Sequence, residues 1–334
     1  MRLTIRSGMH FLVDGVCAAA LFRYCRELPD FAQLVLLYNT LAFSTQCVVG
    51  IVTDRLRVHR YLCAAAGAAV ALGWLLPLPA VLRVILLGLG NSLFHVEGGT
   101  ETLLSSGDRA WPLGVFVAPG AVGLALGRLY PALGLPFSLL LLVLSILVIY
   151  GNIAIISTTF DTHPPEKSYL LCGALLLAVA VRAFGGSAAT FPWQTGAFTA
   201  ILTAVVVCAG KAAGGFVMDR LGANRAAILS IVPAAILVAF FQQSMPLSLL
   251  GQLLLNLSMP VTLLLLYRLL PDSPGLAFGL AASALWPGTL AGQLLPLHGA
   301  AAVVCVILSF LAGLASILLA ARRLSKHEVE EVQP

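Results

Sequence analysis

Gly215-Phe216-Val217-Met218-Asp219-Arg220-Leu221-Gly222-Ala223-Asn224-Arg225 stands between two long apolar runs. The same pattern occurs 165 positions earlier as Gly50-Ile51-Val52-Thr53-Asp54-Arg55-Leu56-Arg57-Val58-His59-Arg60. Gly, Asp, Arg, Leu and the closing Arg coincide in register. A repeat at half the chain length makes the protein two copies of one unit. In a chain this apolar it predicts a transporter built of two pseudo-symmetric halves.

Composition sets the class. Hydrophobic residues make up 60% of the 334 and charged ones only 10%. So few charges cannot cover a soluble domain of this size, so the chain reads as an all-α polytopic membrane protein. The net charge of +5 is the sign that cytoplasmic loops require and calls for no nucleic-acid partner. The seven cysteines form no C-x-x-C pair and read as small packing residues, not disulfides or metal ligands. Neither a cofactor nor a metal site is expected.

A helical span needs about 20 apolar residues. Spans fall near 9–28, 31–53, 60–79, 81–104, 111–132 and 136–158, then near 169–189, 194–218, 225–243, 246–269, 275–296 and 298–322. That predicts an N-terminal six-helix bundle over 1–158, a proline-bearing linker over 159–168, a C-terminal six-helix bundle over 169–324 and a polar, frayed tail over 325–334. The first span is punctuated by Asp14 and shows no convincing small-residue cleavage site, so it reads as a retained helix.

With both termini inside, the inner segments carry Arg2, Arg6, Arg55, Arg57, Arg60, Arg109, Lys167, Arg220, Arg225, Arg268, Arg322, Arg323 and Lys326. The outer side carries Arg23, Arg26, Arg83 and Arg128. Thirteen against four puts both termini in the cytoplasm of a cell inner membrane. The two repeat stretches then share one face, being six spans apart.

The G-x-x-x-D-R-x-G-x-x-R pattern resembles the signature loop of the major facilitator superfamily. The copy at Gly215 fits fully, and the copy at Gly50 departs once, with Arg57 in place of glycine. The resemblance implies a twelve-helix fold with a central cavity. It also implies that Gly50, Asp54, Arg55, Arg60, Gly215, Asp219, Arg220 and Arg225 form a latch closing the cytoplasmic side against helix ends of the other half. Within the fourth span, Gly90-Asn91-Ser92-Leu93-Phe94-His95-Val96-Glu97 resembles fosmidomycin-resistance-type exporters, with Val96 in place of proline. That likeness implies proton antiport and a phosphonate-like anion.

Chemistry must come from polar groups at membrane depth, where an ionisable side chain is costly. Low dielectric disfavours a carboxylate, so Glu97 is the first candidate for proton coupling, Asp14 the second, and His95 a further relay. The structural alternative for Glu97 is a fixed ion pair locking two helices. For Asp14 it is a salt bridge to Arg23 or another helix. His10 lies one turn before Asp14 and can face the same way. Arg182 and Lys211 in the second half, with Asn91 and Asn256, are candidates for binding solute. The two cations read equally as partners in salt bridges between the halves. His95 and Glu97 point to different sides of one helix and cannot share a metal ion. The H-x-E spacing lacks the P-C-x-x-C partner of a zinc deaminase.

The leading expectation is a monomeric secondary transporter in a lipid bilayer that moves a small, anionic organic solute by proton-coupled efflux. Proton-coupled uptake by symport is the alternative within the class. A transporter-like sensor or scaffold without turnover is the alternative outside it. An enzyme is not expected, because no nucleophile–base pair is evident.

Overall fold

The structure, a computed structural model, describes residues 2–150, 168–295 and 297–332. Fourteen α-helices account for most of it, and no strand occurs among the described residues. The first six rods of the chain are α1 (Arg2–Tyr24), α2 (Phe31–Asn39) continuing into α3 (Gln46–Leu56), α4 (His59–Leu75), α5 (Ala80–Leu104), α6 (Trp111–Val117) continuing into α7 (Gly120–Leu129), and α8 (Gly134–Tyr150). The rest are α9 (Ser168–Ala188), α10 (Ala197–Phe240), α11 (Met245–Leu257) continuing into α12 (Met259–Leu269), α13 (Pro274–Leu294) and α14 (Gly299–Val332). Among the described residues, nine helical stretches are long and apolar enough to cross a membrane. Leu139, Leu140, Val143, Ile146 and Leu147 of α8 are exposed. Such a belt suits hydrocarbon as its solvent.

Interrupted helices have local causes. Pro119 offers no N–H, and the helix breaks between Val117 and Gly120. Pro260 stands at the start of α12, directly after the break at Ser258. Between α2 and α3 a π turn spans Thr40–Ser44. The wider winding leaves the Phe43 carbonyl to accept from the Ser283 hydroxyl at 2.9 Å, across to α13.

Helix α10 holds a reversal inside it. The backbone is helical throughout except at Gly222, where φ is 78° and ψ 162°. Gly210 and Gly214 lie against the backbone at Leu253 and Leu257, so this part of α10 runs alongside α11 in the same direction. Beyond Gly222, the Ser230 hydroxyl donates to the Leu254 carbonyl and Leu237–Val238 lie against Gly251, so the direction is opposite. The loop expected over 219–224 is thus a one-residue turn, which a left-handed glycine permits.

Close helix contacts are made by glycines. Gly123 and Gly127 of α7 meet the α1 backbone at Phe11 and Gly15, and Gly288 and Gly292 of α13 meet α9 at Ala180 and Phe184. Within a membrane such approach supplies the packing attraction that water cannot.

Several sequence expectations shift. The first helix begins at Arg2 rather than near 9. Arg6, expected as a loop charge, is buried and donates to Glu101 at 2.9 Å. Arg83, expected at the outer surface, is buried and donates to the carbonyls of Trp74, Leu76 and Leu78, at and just beyond the end of α4. The last helix does not fray at 325 but continues to Val332. The linker expected over 159–168 lies outside the described residues up to Lys167.

Arg57 and Gly222 occupy equivalent repeat positions, 165 apart, and both have left-handed backbone, Arg57 at φ 53°. A side chain there costs about 1–2 kcal/mol. Arg57→Gly is therefore expected to stabilise the protein by about 1 kcal/mol, read as a higher melting temperature in detergent. An unchanged or lower value would remove the strain argument.

Candidate functional site

A cavity of about 280 Å³ lies between the two groups of helices. From the N-terminal side it is lined by His10 and Asp14 of α1, Asn91 and His95 of α5, and Gln46 at the head of α3. From the C-terminal side come Arg182 of α9, Lys211 of α10 and Thr262 of α12.

The first side is an acid with two imidazoles. Asp14 Oδ2 lies 3.3 Å from His10 Nε2, and Asp14 Oδ1 lies 3.6 Å from His95 Nε2. The Asn91 amide donates to Asp14 Oδ1 at 3.1 Å. Gly120, freed by the Pro119 break, stands beside this cluster, and a Cβ there would collide with Asp14 and His10. Asp14 thus pairs with His10 and His95 rather than with Arg23. No sequence spacing signals a metal-ligand set here, because these three residues come from two helices; their ligand atoms nonetheless lie within 4.8 Å of one another.

The second side is cationic. Arg182 donates to the hydroxyl of buried Ser258 at 3.0 Å, at the α11–α12 break. Lys211 lines the cavity, and its side chain makes no hydrogen bond or ion pair among the described residues. The sides are related by the repeat with their charge inverted. Asp14 and Arg182 are 168 apart, and their hydrogen-bond partners Asn91 and Ser258 are 167 apart. Gln46 and Lys211 are 165 apart.

Glu97 does not line the cavity. It is fully buried, and its Oε2 accepts from His59 Nδ1 at 2.9 Å, tying α5 to α4. This is the geometry of a helix-locking ion pair, reinforced by Arg6–Glu101 one turn further along. Asn256 also turns away. Its amide donates to the Gln252 carbonyl on its own helix, and its Cβ packs at Gly210.

Beneath the cavity the two groups of helices close on each other. Asp54 accepts from the backbone N–H of Gly275 and Leu276 at 2.7 and 2.8 Å. Asp219 accepts from those of Ala110 and Trp111 at 2.7 and 3.0 Å. Each carboxylate thus sits at the start of a helix of the opposite half, α13 or α6, where N–H groups lack intrahelical partners and the dipole is positive. The acceptors and donors are both related by 165 positions. Gly50 lies against Gly275, and Gly215 against Ala110 and Trp111. Arg268 adds a two-pronged contact to Asp108 at 2.8 and 2.9 Å, which no sequence pattern signalled. The arginines of the repeat do not join this closure. Arg55, Arg220 and Arg225 are exposed without an ion pair among the described residues, and Arg60 lies over Tyr61.

No family model and no curated protein matches the chain. Solved structures do. The E. coli fucose:proton symporter FucP aligns over 96% of this chain and 98% of its own, with TM-score 0.68 and 11% identity. The human organic anion transporter MFSD10 aligns over 96% and 99%, with TM-score 0.64 and 14% identity. A bacterial homologue of the iron transporter ferroportin, in an outward-facing state, aligns over 98% and 100%, with TM-score 0.57 and 17% identity. The chain has the major facilitator fold and is a multi-pass membrane protein. The structures it resembles here are named as transporters or transporter homologues, none as an enzyme.

Asp54→Asn and Asp219→Asn each weaken a charge-assisted contact worth about 1.5–3 kcal/mol, so each should shift the closed arrangement by about tenfold or more. Spin-label distances between the Val58 and Gly275 ends should lengthen or broaden in the first variant, and between Ala223 and Ala110 in the second. Unchanged distributions in both would reduce the two carboxylates to helix caps.

Proposed function

We propose that the protein is a secondary active transporter that moves a small organic anion by alternating access, crossing the membrane twelve times with both termini cytoplasmic. The observation that carries this reading is the charge-split cavity. Among the described residues the Lys211 side chain has no partner and that of Arg182 bonds only a hydroxyl, and such cations are costly at membrane depth unless an anion arrives to offset them. The reversal at Gly222 supports the count of twelve, because it lets α10 serve as two crossings. With Arg6 and Arg83 set aside as buried, twelve inner against three outer basic residues support a cytoplasmic latch end. The structure then corresponds to an outward-facing arrangement, shut on the cytoplasmic side.

Cation coupling is the role of the side bearing Asp14. Protons are the first expectation for that cation, with efflux by antiport ahead of uptake by symport. Glu97, paired with His59 away from the cavity, could influence transport only through the packing of α4 and α5. The pair of N-terminal-half groups Asn91 and His95 belongs to the Asp14 side rather than to the anion side.

Purified protein should be stabilised against heat by members of a panel of small carboxylates and phosphonates, because a ligand that binds the folded state raises its apparent stability. Lys211→Ala and Arg182→Ala should each weaken the best of them about tenfold or more, the scale of one charged hydrogen bond. Proteoliposomes should accumulate that anion under an ion gradient. Stabilisation only by neutral or cationic compounds would sink the anion reading, and binding without flux would make the protein a sensor.

Orientation is tested separately. Cysteines placed at Val58 and Ala223 in a cysteine-free background should resist a membrane-impermeant maleimide in intact cells and react after permeabilisation. Ready labelling from outside would invert the topology.

A further inference from the structure

Helices α1 and α5 bring two imidazoles and a carboxylate to one point in the cavity wall. His10 Nδ1 is 2.9 Å from the Phe116 carbonyl oxygen, and His95 Nδ1 is 2.9 Å from that of Asn91. A carbonyl oxygen can only accept, so both Nδ1 atoms carry their proton and donate. Each neutral ring then offers a lone pair at Nε2, and the two Nε2 atoms are 2.9 Å apart. Two lone pairs facing at that distance repel unless a positive species sits against both. Asp14 brings its carboxylate to the same spot, Oδ2 3.3 Å from His10 Nε2 and Oδ1 3.6 Å from His95 Nε2.

We propose that the cavity binds a divalent first-row transition-metal ion through His10 Nε2, His95 Nε2 and the Asp14 carboxylate. Metal–ligand bonds of about 2.0–2.2 Å set neighbouring ligand atoms about 3 Å apart in an octahedron and about 3.4 Å apart in a tetrahedron. The observed spacings are of that size, with the carboxylate presenting Oδ2 to His10 and Oδ1 to His95. The supporting shell is also present. Both rings are held by backbone carbonyls in the tautomer that a metal needs, and Asn91 orients the carboxylate. Gly120 leaves the space that any side chain would fill. Two imidazole nitrogens with one carboxylate suit manganese, iron, cobalt, nickel or zinc, whereas calcium and magnesium prefer all-oxygen sites. Three protein ligands leave positions open toward the cavity. Water completes the shell there, or an anion drawn in by Arg182 and Lys211, which would otherwise repel the ion.

The site does not rest on the transport reading, and a direct binding measurement separates the two. Full-length protein, freed of its purification tag and stripped with a chelator, is titrated with cobalt(II) and, separately, with copper(II). One cobalt ion per chain is expected, with visible ligand-field bands free of the intense thiolate absorption that cysteine ligands would give. The copper electron paramagnetic resonance spectrum of the unsubstituted protein should show two imidazole nitrogens. That readout needs no variant to fold. His10→Ala and His95→Ala should each leave one nitrogen and weaken cobalt binding about tenfold or more, the lower end of what even an outer-shell change costs. Gly120→Ala, which keeps every ligand, should also weaken it. Absence of stoichiometric binding in the unsubstituted protein overturns the proposal and leaves a shared proton as the species between the rings. Binding that persists unchanged in the histidine variants overturns it too. Metal binding without anion flux removes the transporter reading and leaves the site; anion flux without stoichiometric metal does the reverse.

Discussion

Two carboxylates, each bound to the first N–H groups of a helix in the opposite half, set the arrangement on which the rest depends. A helix start offers several donors with no partner in the helix. Asp54 and Asp219 satisfy them across the interface, and do so twice by the same geometry. Because this end is shut, the space above it is a cavity rather than a channel. Because the contacts need close approach, glycine stands at both, Gly50 beside Gly275 and Gly215 beside Ala110. One step higher, Gly114 meets the backbone of Lys211 and Ala212 while Gly279 meets that of Gln46 and Cys47. These paired crossings form the floor and fix Gln46 and Lys211 at its edge.

Above the floor the symmetry of backbone is kept and the symmetry of charge is not. Asp14 and Arg182 hold equivalent places on α1 and α9, each bonded to a polar residue on the facing helix, Asn91 or Ser258. Duplicated architecture thus yields two subsites of opposite sign in one space. The breaks at Pro119 and Ser258 serve these subsites, one by opening room at Gly120 and the other by presenting a hydroxyl to Arg182. Broken helices at mid-membrane are tolerated where they line a cavity.

What was legible in the sequence was local or periodic. The repeat at Gly50 and Gly215 could be read because its residues are contiguous, and it foretold the fold and the face on which the halves meet. Even the one departure, Arg57, marks a real feature, since its backbone takes the conformation its glycine counterpart takes. Partnerships between helices were not legible. Depth and sign make Glu97 a candidate for proton coupling or for a fixed ion pair, yet only the packing of α4 on α5 shows His59 as its partner. Asp14 and His10 are one turn apart and readable as a pair, but His95 joins them from 85 residues away. Asn256 shares a register with Asn91 and still faces elsewhere, because Gly210 lets α10 approach on that side. Helical spacing reports which residues share a face and is silent on what the face meets.

The reversal at Gly222 has a mechanical consequence. Only one residue separates the two arms of α10, so there is no slack between them. Asp219 lies on the first arm, three residues from the turn. Pulling that carboxylate off the start of α6 therefore moves both arms as one lever. Release at Asp219 with Asp54 still seated makes the Asp54 contact the fulcrum, and release at Asp54 reverses the roles. A separation that began at one carboxylate would therefore widen one side of the gap ahead of the other.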